Sequence, residues 1–197
     1  MIAIVDYGAG NLRSVKKAFD HIGADVTVTT DADAVHAADK IVLPGVGHFS
    51  ALRNLGDKGL RAALLQSIQA GKPFLGICLG MQWLFEGSDE SPEIEGAGFF
   101  SGRCRPFPSD VKSPHVGWNS FTPRPDSRLL RGVAPESFVY YTHSFLAPVV
   151  AATSGISEYG VHFSGAVEHE NVFGVQFHPE KSWTVGLHIL KNFCELS

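Results

Sequence analysis

Between residues 2 and 78 short apolar runs alternate with stretches whose apolar residues recur at helical spacing, and this alternation restricts the fold more than any other feature. Ile2–Val5 and residues 25–28, 40–43 and 74–77 read as buried strands. Residues 12–22, with Leu12, Val15, Phe19 and Ile22 on one face, and residues 60–70 read as helices. Strands separated by helices are joined by crossovers, so they lie parallel with helices on both faces of the sheet. From 86 to 135 prolines and glycines cluster and apolar runs shorten, which predicts loops and short antiparallel strands attached to the main sheet. Strands are expected again at 139–142, 161–163, 166–168 and 172–177, and a helix at 185–194. The expected fold is α/β: an open, mostly parallel sheet with helices on both faces and a small antiparallel extension. No repeat or low-complexity linker interrupts the chain, so one domain over residues 1–197 is expected.

Composition narrows the setting. With 44% apolar residues the chain can bury a sizeable core, and its net charge of −4 gives no basis for a nucleic-acid or anionic-membrane partner. The three cysteines, Cys78, Cys104 and Cys194, are odd in number and widely scattered, which argues against a disulfide framework and for a reducing compartment. The opening run Ile2–Val5 is too short, and too soon interrupted by Asp6, to serve as a signal peptide. No apolar run approaches the roughly 20 residues of a membrane span. The expected location is the cytoplasm, or an organelle stroma after removal of a transit peptide.

One of the predicted strands carries chemistry. Phe74-Leu75-Gly76-Ile77-Cys78-Leu79-Gly80-Met81-Gln82 is an apolar run ending on a cysteine with a glycine two residues to either side, followed by a helix predicted at 81–85. Gly-x-Cys-x-Gly is the thiol counterpart of the Gly-x-Ser-x-Gly elbow, a sharp strand-to-helix turn that lifts the nucleophile clear of the sheet. A Cβ at either glycine would strike neighbouring backbone. The helix start favours thiolate over thiol. Far along the chain, Phe173-Gly174-Val175-Gln176-Phe177-His178-Pro179-Glu180 is a second apolar strand running into a base and a carboxylate. A nucleophile needs a base beside it and a third group to orient that base. Pro179 holds His178 extended, so the His178 and Glu180 side chains can converge over one sheet edge. Strands parallel in one sheet would bring both segments to its carboxyl edge, where ligands bind in open α/β folds.

Together, Cys78 in Gly-Ile-Cys-Leu-Gly-Met-Gln and His178-Pro-Glu180 resemble the class I (triad) glutamine amidotransferases, whose fold is flavodoxin-like. Four further segments resemble one branch of that family, the glutaminase subunits of imidazole glycerol phosphate synthase in histidine biosynthesis. They are Asp6-Tyr7-Gly8-Ala9-Gly10-Asn11-Leu12-Arg13-Ser14-Val15, Pro44-Gly45-Val46-Gly47-His48-Phe49, Pro114-His115-Val116-Gly117-Trp118-Asn119 and Tyr140-Tyr141-Thr142-His143-Ser144-Phe145. The resemblance implies that Cys78 attacks the side-chain amide of L-glutamine, with His178 managing the proton and Glu180 orienting it. It also implies an oxyanion hole made by the backbone N–H of Leu79 and that of Val46 or Gly45. Gly45 and Gly47 let the backbone approach. Gln82, one helical turn past Cys78, faces the substrate's α-amino or carboxylate end. The backbone around Thr142, Ser144 and Phe145 holds that end in relatives. Glu90 is either a partner for the ammonium or a solvated loop charge.

The resemblance further implies a consumer for the ammonia, a (β/α)8-barrel cyclase subunit forming a heterodimer with this chain. Asn11, Tyr140 and Lys181 are candidates for the docking face, with an ordinary exposed loop as the other reading of each. No cofactor and no metal are called for. Rival readings carry less. Gly8-Ala9-Gly10-Asn11-Leu12-Arg13 begins like a dinucleotide fingerprint but has Arg13 in place of its third glycine. A non-catalytic binding module would not need all three triad residues. The glutaminases of pyridoxal phosphate or anthranilate synthesis share the chemistry, and Gly117-Trp118-Asn119 and Gly8-Ala9-Gly10-Asn11 oppose them. The nine histidines include no His-Glu-x-x-His arrangement, and Glu168-His169-Glu170 alternates faces if it is a strand, so metal binding is not expected.

Overall fold

Every residue of strand β1 (Ile2–Val5) is buried, and alternate side chains enter different cores. Ile2 and Ile4 join one apolar cluster with Val15, Phe19, Val42, Leu75 and Phe193; Val5 joins the other with Ile41, Leu43, Leu64 and Phe74. A strand with both faces covered by apolar side chains belongs inside a layered α/β sheet. The computed structural model describes residues 1–196; Ser197, the last residue of the domain span expected above, lies outside the described residues.

The first half alternates strand and helix: α1 (Leu12–His21), β2 (Val26–Thr29), α2 (Ala32–Ala37), β3 (Lys40–Gly45), α3 (Arg53–Asp57), α4 (Leu60–Gln69), β4 (Phe74–Cys78) and α5 (Leu79–Trp83), with α2 and α3 where the sequence predicted no helix. The remaining elements are β5 (Phe85–Ser88), β6 (Phe100–Pro106), β7 (His115–Pro123), β8 (Ser137–His143), β9 (Phe145–Leu146), β10 (Thr153–Tyr159), β11 (Val161–His169), β12 (Val172–Val175) and α6 (Trp183–Glu195). The helices dock by apolar stripes at the spacing the sequence announces. In α1 these are Val15, Ala18 and Phe19, and in α4 Leu60, Ala63, Leu64 and Ile68.

The main sheet has the order β2-β1-β3-β4-β12-β11-β10-β7-β8. Its first five strands are parallel and the remaining four antiparallel. β3, β4 and β12 are therefore adjacent and point the same way, with Gly45 paired to Cys78 and Val175 to Ile77. Their carboxyl ends form one edge.

Several expectations need correcting. The helix after Cys78 is α5, starting at Leu79 and ending at Trp83, two residues earlier at each end than the predicted 81–85; Phe85 opens β5. Segments 161–163 and 166–168 are one strand, β11, because the hydroxyl of the intervening Ser164 is buried against Thr153 Oγ1 and the Pro148 carbonyl. β10, rich in Ser and Gly, carried no apolar signal. Within 86–135 only β7 joins the main sheet; β5, β6 and β9 make a separate three-stranded sheet in which β5 and β6 are parallel. The long connection from β7 to β8 is pinned by buried polar groups. Glu168 accepts from Ser127 Oγ (2.7 Å) and Arg128 Nε (2.9 Å), and Asn192 Nδ2 donates to the carbonyls of Leu129 and Arg131.

Helix α5 lies unusually close to β3. A Cβ on Gly80 would stand 1.8 Å from the Leu43 carbonyl oxygen, whereas one on Gly56 in α3 would meet nothing within 4 Å. Gly80→Ala should lower the thermal midpoint by an amount corresponding to about 1–3 kcal/mol or more. Gly56→Ala should leave it unchanged or raise it. Equal midpoints for the two variants would show that the close approach is not needed.

Candidate active site

Cys78 is the last residue of β4 and the residue before α5. Its φ of 53° and ψ of −104° are costly for a residue with a Cβ, and such strain, about 1–3 kcal/mol, persists only where the surroundings impose it. The surroundings here are backbone. Gly80 is pressed against Leu43, and a Cβ on Gly76 would stand 2.4 Å from the Gly80 carbonyl oxygen. The chain therefore leaves the strand in one sharp turn, and the sulfur faces a cavity of about 300 Å³ lined also by Gly47, Leu79, Gln82 and Glu90. That volume is at the small end of the range for ligand sites, roughly 300–1,000 Å³, and suits a molecule of amino-acid size.

β12 continues past Val175 into Gln176, Phe177 and His178. His178 Nδ1 lies 2.8 Å from Glu180 Oε1, and both side chains are 1% exposed. A carboxylate accepts only, so Nδ1–H is the donor and the Nε2 edge is left for chemistry. Nε2 is buried and has no hydrogen-bond partner among the described residues. Burial opposes the imidazolium, but Cys78 and Glu180 together outweigh it and push His178 up to about 10. The thiol and the imidazole, distant in sequence, are thus near enough in space for the charge of the sulfur to favour the imidazolium. The His178 backbone is fixed as well: its N–H donates to the Tyr140 carbonyl (2.8 Å) and its carbonyl accepts from Ser182 Oγ (2.6 Å).

The other expected positions fall as follows. Thr142, Ser144 and Phe145 line the cavity opposite Leu79, and the Cys78 thiol donates to the Thr142 carbonyl at 3.9 Å. Gln82 faces the same space, with its Nε2 donating to the Phe145 carbonyl (2.9 Å) and to Gln176 Oε1 (3.1 Å). Glu90 is turned inward: its Oε2 accepts from the Phe49 N–H (2.7 Å) while its side chain borders the cavity. Gly45 sits at the end of β3 beside Cys78, crowded by Tyr7 and Leu79. Val46 follows it, half-buried, and Gly47 has a left-handed φ of 100° with open space around it. Lys181 Nζ stands 5.4 Å from the centre of the Tyr140 ring, and α1, whose N-cap is Asn11, packs beside the turn Pro179–Lys181. Among the described residues no group of His, Cys, Asp and Glu has the geometry to hold a metal ion.

Sequence reasoning passed over two features. One is Gln176, fully buried, whose Nε2 donates to Cys78 Sγ at 3.6 Å. The other is a pair of buried imidazoles, His115 and His143, whose ring nitrogens are 3.1 Å apart. Phe145's carbonyl can only accept, so His143 Nδ1 carries the proton (2.9 Å) and its Nε2 accepts from His115 Nδ1. Asn119 Nδ2 then faces the remaining His115 nitrogen at 3.4 Å. Both residues lie in quoted segments, but only the β7–β8 pairing of His115 with His143 brings them together. Of the remaining thiols, Cys104 is fully buried and burial pushes its ionisation well up, which makes it inert.

A thiol beside an oriented imidazole has the makings of a group that attacks an acyl carbon and hands a proton to the departing group, the chemistry of cysteine-nucleophile acyl transfer on an α/β fold. Comparison narrows the class. Residues 3–196 match the family model described as glutamine amidotransferase class-I, and the chain belongs to that family. A protein of Methanothermobacter thermautotrophicus named imidazole glycerol phosphate synthase subunit HisH is 50% identical over 202 residues, covering 100% of this chain and 98% of that one. A protein of the same name from Caldanaerobacter subterraneus subsp. tengcongensis is 45% identical over 199 residues, with 100% and 98% covered. Among solved structures, a crystal structure titled glutamine amidotransferase superposes with a TM-score of 0.76 at 14% identity, covering 99% of this chain and 98% of that one. PurLQS from Thermotoga maritima gives 0.73 at 16%, covering 98% and 97%. At those identities the likeness speaks for the fold alone.

Burial lowers His143 to about 3, well below the 6.5 of a free imidazole, so it is neutral in the folded protein. Its contribution to stability is complete above pH 6.5 and is lost as pH falls toward 3, at up to about 1.4 kcal/mol per pH unit. His178, raised, acts in the opposite window, between 6.5 and about 10. Urea midpoints measured from pH 6.5 to 4.5 should fall less steeply in His143→Gln than in the native protein; parallel slopes would mean that His143 titrates normally.

Proposed function

We propose that this protein is the glutaminase subunit of imidazole glycerol phosphate synthase, hydrolysing L-glutamine to glutamate and passing the ammonia to a cyclase subunit in histidine biosynthesis. The observation that carries this reading is the buried His178–Glu180 pair set against Cys78, in a chain about half identical, end to end, to proteins bearing that name.

The geometry supports the following steps. His178 Nε2, with Nδ1–H held by Glu180, takes the Cys78 proton. The thiolate attacks the side-chain carbonyl carbon of glutamine, and the oxyanion is met by the N–H of Leu79 and that of Val46 or Gly45. The imidazolium then protonates the nitrogen as the C–N bond breaks, releasing ammonia and leaving a γ-glutamyl thioester on Cys78. Water, deprotonated by His178, attacks the thioester; glutamate departs and the thiol is restored. Gly47, Gln82, Thr142, Ser144 and Phe145 would receive the amino-acid end of the substrate, with Glu90 turned toward the ammonium.

Ammonia set free in neutral water becomes ammonium and loses its nucleophilicity, so the product calls for a partner that takes it directly. We assign that role to a (β/α)8-barrel cyclase subunit in a heterodimer, docked where Asn11, Tyr140 and Lys181 stand. Exposed aromatic surface supports this choice of face: Trp118, Phe138 and Trp183 are 40%, 59% and 76% exposed, and Trp118 touches both Tyr140 and Trp183. Tyr140 is also bonded to the catalytic segment from both backbone ends, through the His178 N–H and Ser182 Oγ, so pressure from a partner would reach the base directly. One domain spanning residues 1–197 and a cytoplasmic location complete the reading. No helix among the described residues is long and apolar enough to cross a membrane.

With the cyclase present, Cys78→Ala should abolish glutamine-dependent formation of imidazole glycerol phosphate and leave the ammonium-dependent reaction intact. Loss of both would make Cys78 a structural residue, and retention of both would remove it from the mechanism.

A further inference from the structure

Gln176 is 0% exposed, and its side chain is engaged at both ends. The orientation of its amide is set by its neighbours. The carbonyl of Phe145 can only accept, so the nitrogen of Gln82 faces it, at 2.9 Å. The same nitrogen lies 3.1 Å from Gln176, which must present its oxygen there. The Gln176 nitrogen is then the end directed at Cys78 Sγ, 3.6 Å away. No alternative assignment of the two amides satisfies all three contacts.

An N–H donor aimed at sulfur stabilises the thiolate and not the thiol, because the anion is much the stronger acceptor. The other group in contact, the Thr142 carbonyl, has the reverse effect, since it accepts from S–H. Register explains how Gln176 comes to be there. Val175 pairs with Ile77, so the next residue of the neighbouring strand comes alongside Cys78. Two residues later the same strand extension delivers His178. The base and the amide are therefore held by one short segment, whose Gln176 N–H is anchored to the Gly165 carbonyl at 2.9 Å.

We propose that Gln176 is a positioning residue for the nucleophile: its amide nitrogen holds Cys78 as an aimed thiolate, and its oxygen ties that sulfur through Gln82 to the strand carrying Phe145. This deepens the glutaminase reading and rests on it. Filling of the cavity alongside Phe145 is thereby felt at the sulfur, through two amides in series.

The test is the pH dependence of Cys78 alkylation by iodoacetamide, read by peptide mass spectrometry in the whole protein, with Cys104 as the internal reference. Gln176→Met keeps the volume and removes both polar ends. Gln176→Glu keeps the acceptor for Gln82 and replaces the donor by a carboxylate. Both should move the alkylation profile to higher pH, Met by about one unit (tenfold in thiolate fraction at a given pH) and Glu by more. A merely structural role would lower the thermal midpoint and leave the profile in place, and folded variants with an unmoved profile overturn the proposal. Should neither variant fold, the native protein decides. In glutamine-¹⁵N-labelled samples the Gln176 side-chain amide signals should shift with pH and cease to do so in Cys78→Ala; signals indifferent to that substitution overturn the proposal. Native Cys78 reacting no faster than Cys104 would instead sink the nucleophile assignment itself.

Discussion

The structure depends on one backbone contact, the approach of Gly80 at the start of α5 to the Leu43 carbonyl at the end of β3. No side chain fits between them. Because the helix must begin that close to the sheet, the chain cannot leave β4 gradually, and the whole change of direction falls on Cys78, which is driven to positive φ. The strain is local: the pairing of β4 with β3 is intact from Phe74 to Cys78, and that with β12 from Phe74 to Ile77. A sulfur held this way moves little. The main chain sets the direction of its Cα–Cβ bond, and the Gln176 amide and the Thr142 carbonyl meet the sulfur itself.

Around that fixed point the parallel strands gather groups that sequence keeps far apart. β3 supplies the Gly45–Gly47 backbone, β4 the thiol, and β12 the amide of Gln176 and then the base. The antiparallel strand β8 closes the far wall with Thr142, and Ser144 and Phe145 follow at its end. Polar side chains in this wall are satisfied by one another, which is the condition for burying them. Asn119, His115 and His143 lead to the Phe145 carbonyl, and Gln82 and Gln176 lead from it to the sulfur. His143 pushed down to about 3 and His178 pushed up to about 10 show one interior setting opposite states for two imidazoles: the first is desolvated, with no carboxylate beside it and other imidazoles nearby, and the second has a carboxylate and a thiol.

The legible parts of the sequence were those where a local rule acts. Glycines flanking Cys78 announce a turn, and His-Pro-Glu announces an oriented base, because both depend on residues within a few positions. The helices α1 and α4 were legible from their apolar stripes. What stayed hidden depends on strand register or on a polar core. The contact between Gln176 and Cys78 spans 98 positions and follows only from which strand neighbours β4. β10 and the middle of β11 are built from Ser and Gly buried against each other, so they show none of the apolar alternation that marks a strand. The start of α5 was misplaced because Leu79 and Gly80 resemble the end of a strand, whereas backbone crowding makes them the beginning of a helix.

The central claim is that Cys78 becomes acylated by the substrate while His178 carries the proton. Acid quenching of the cyclase-bound protein during turnover of glutamine, followed by peptide mass spectrometry, tests it most directly. Acylation of Cys78 requires a hydroxylamine-labile γ-glutamyl adduct on the peptide containing Cys78, absent when glutamate replaces glutamine. Steady ammonia release with that peptide unmodified, or with the adduct on Cys104 or Cys194, would contradict it.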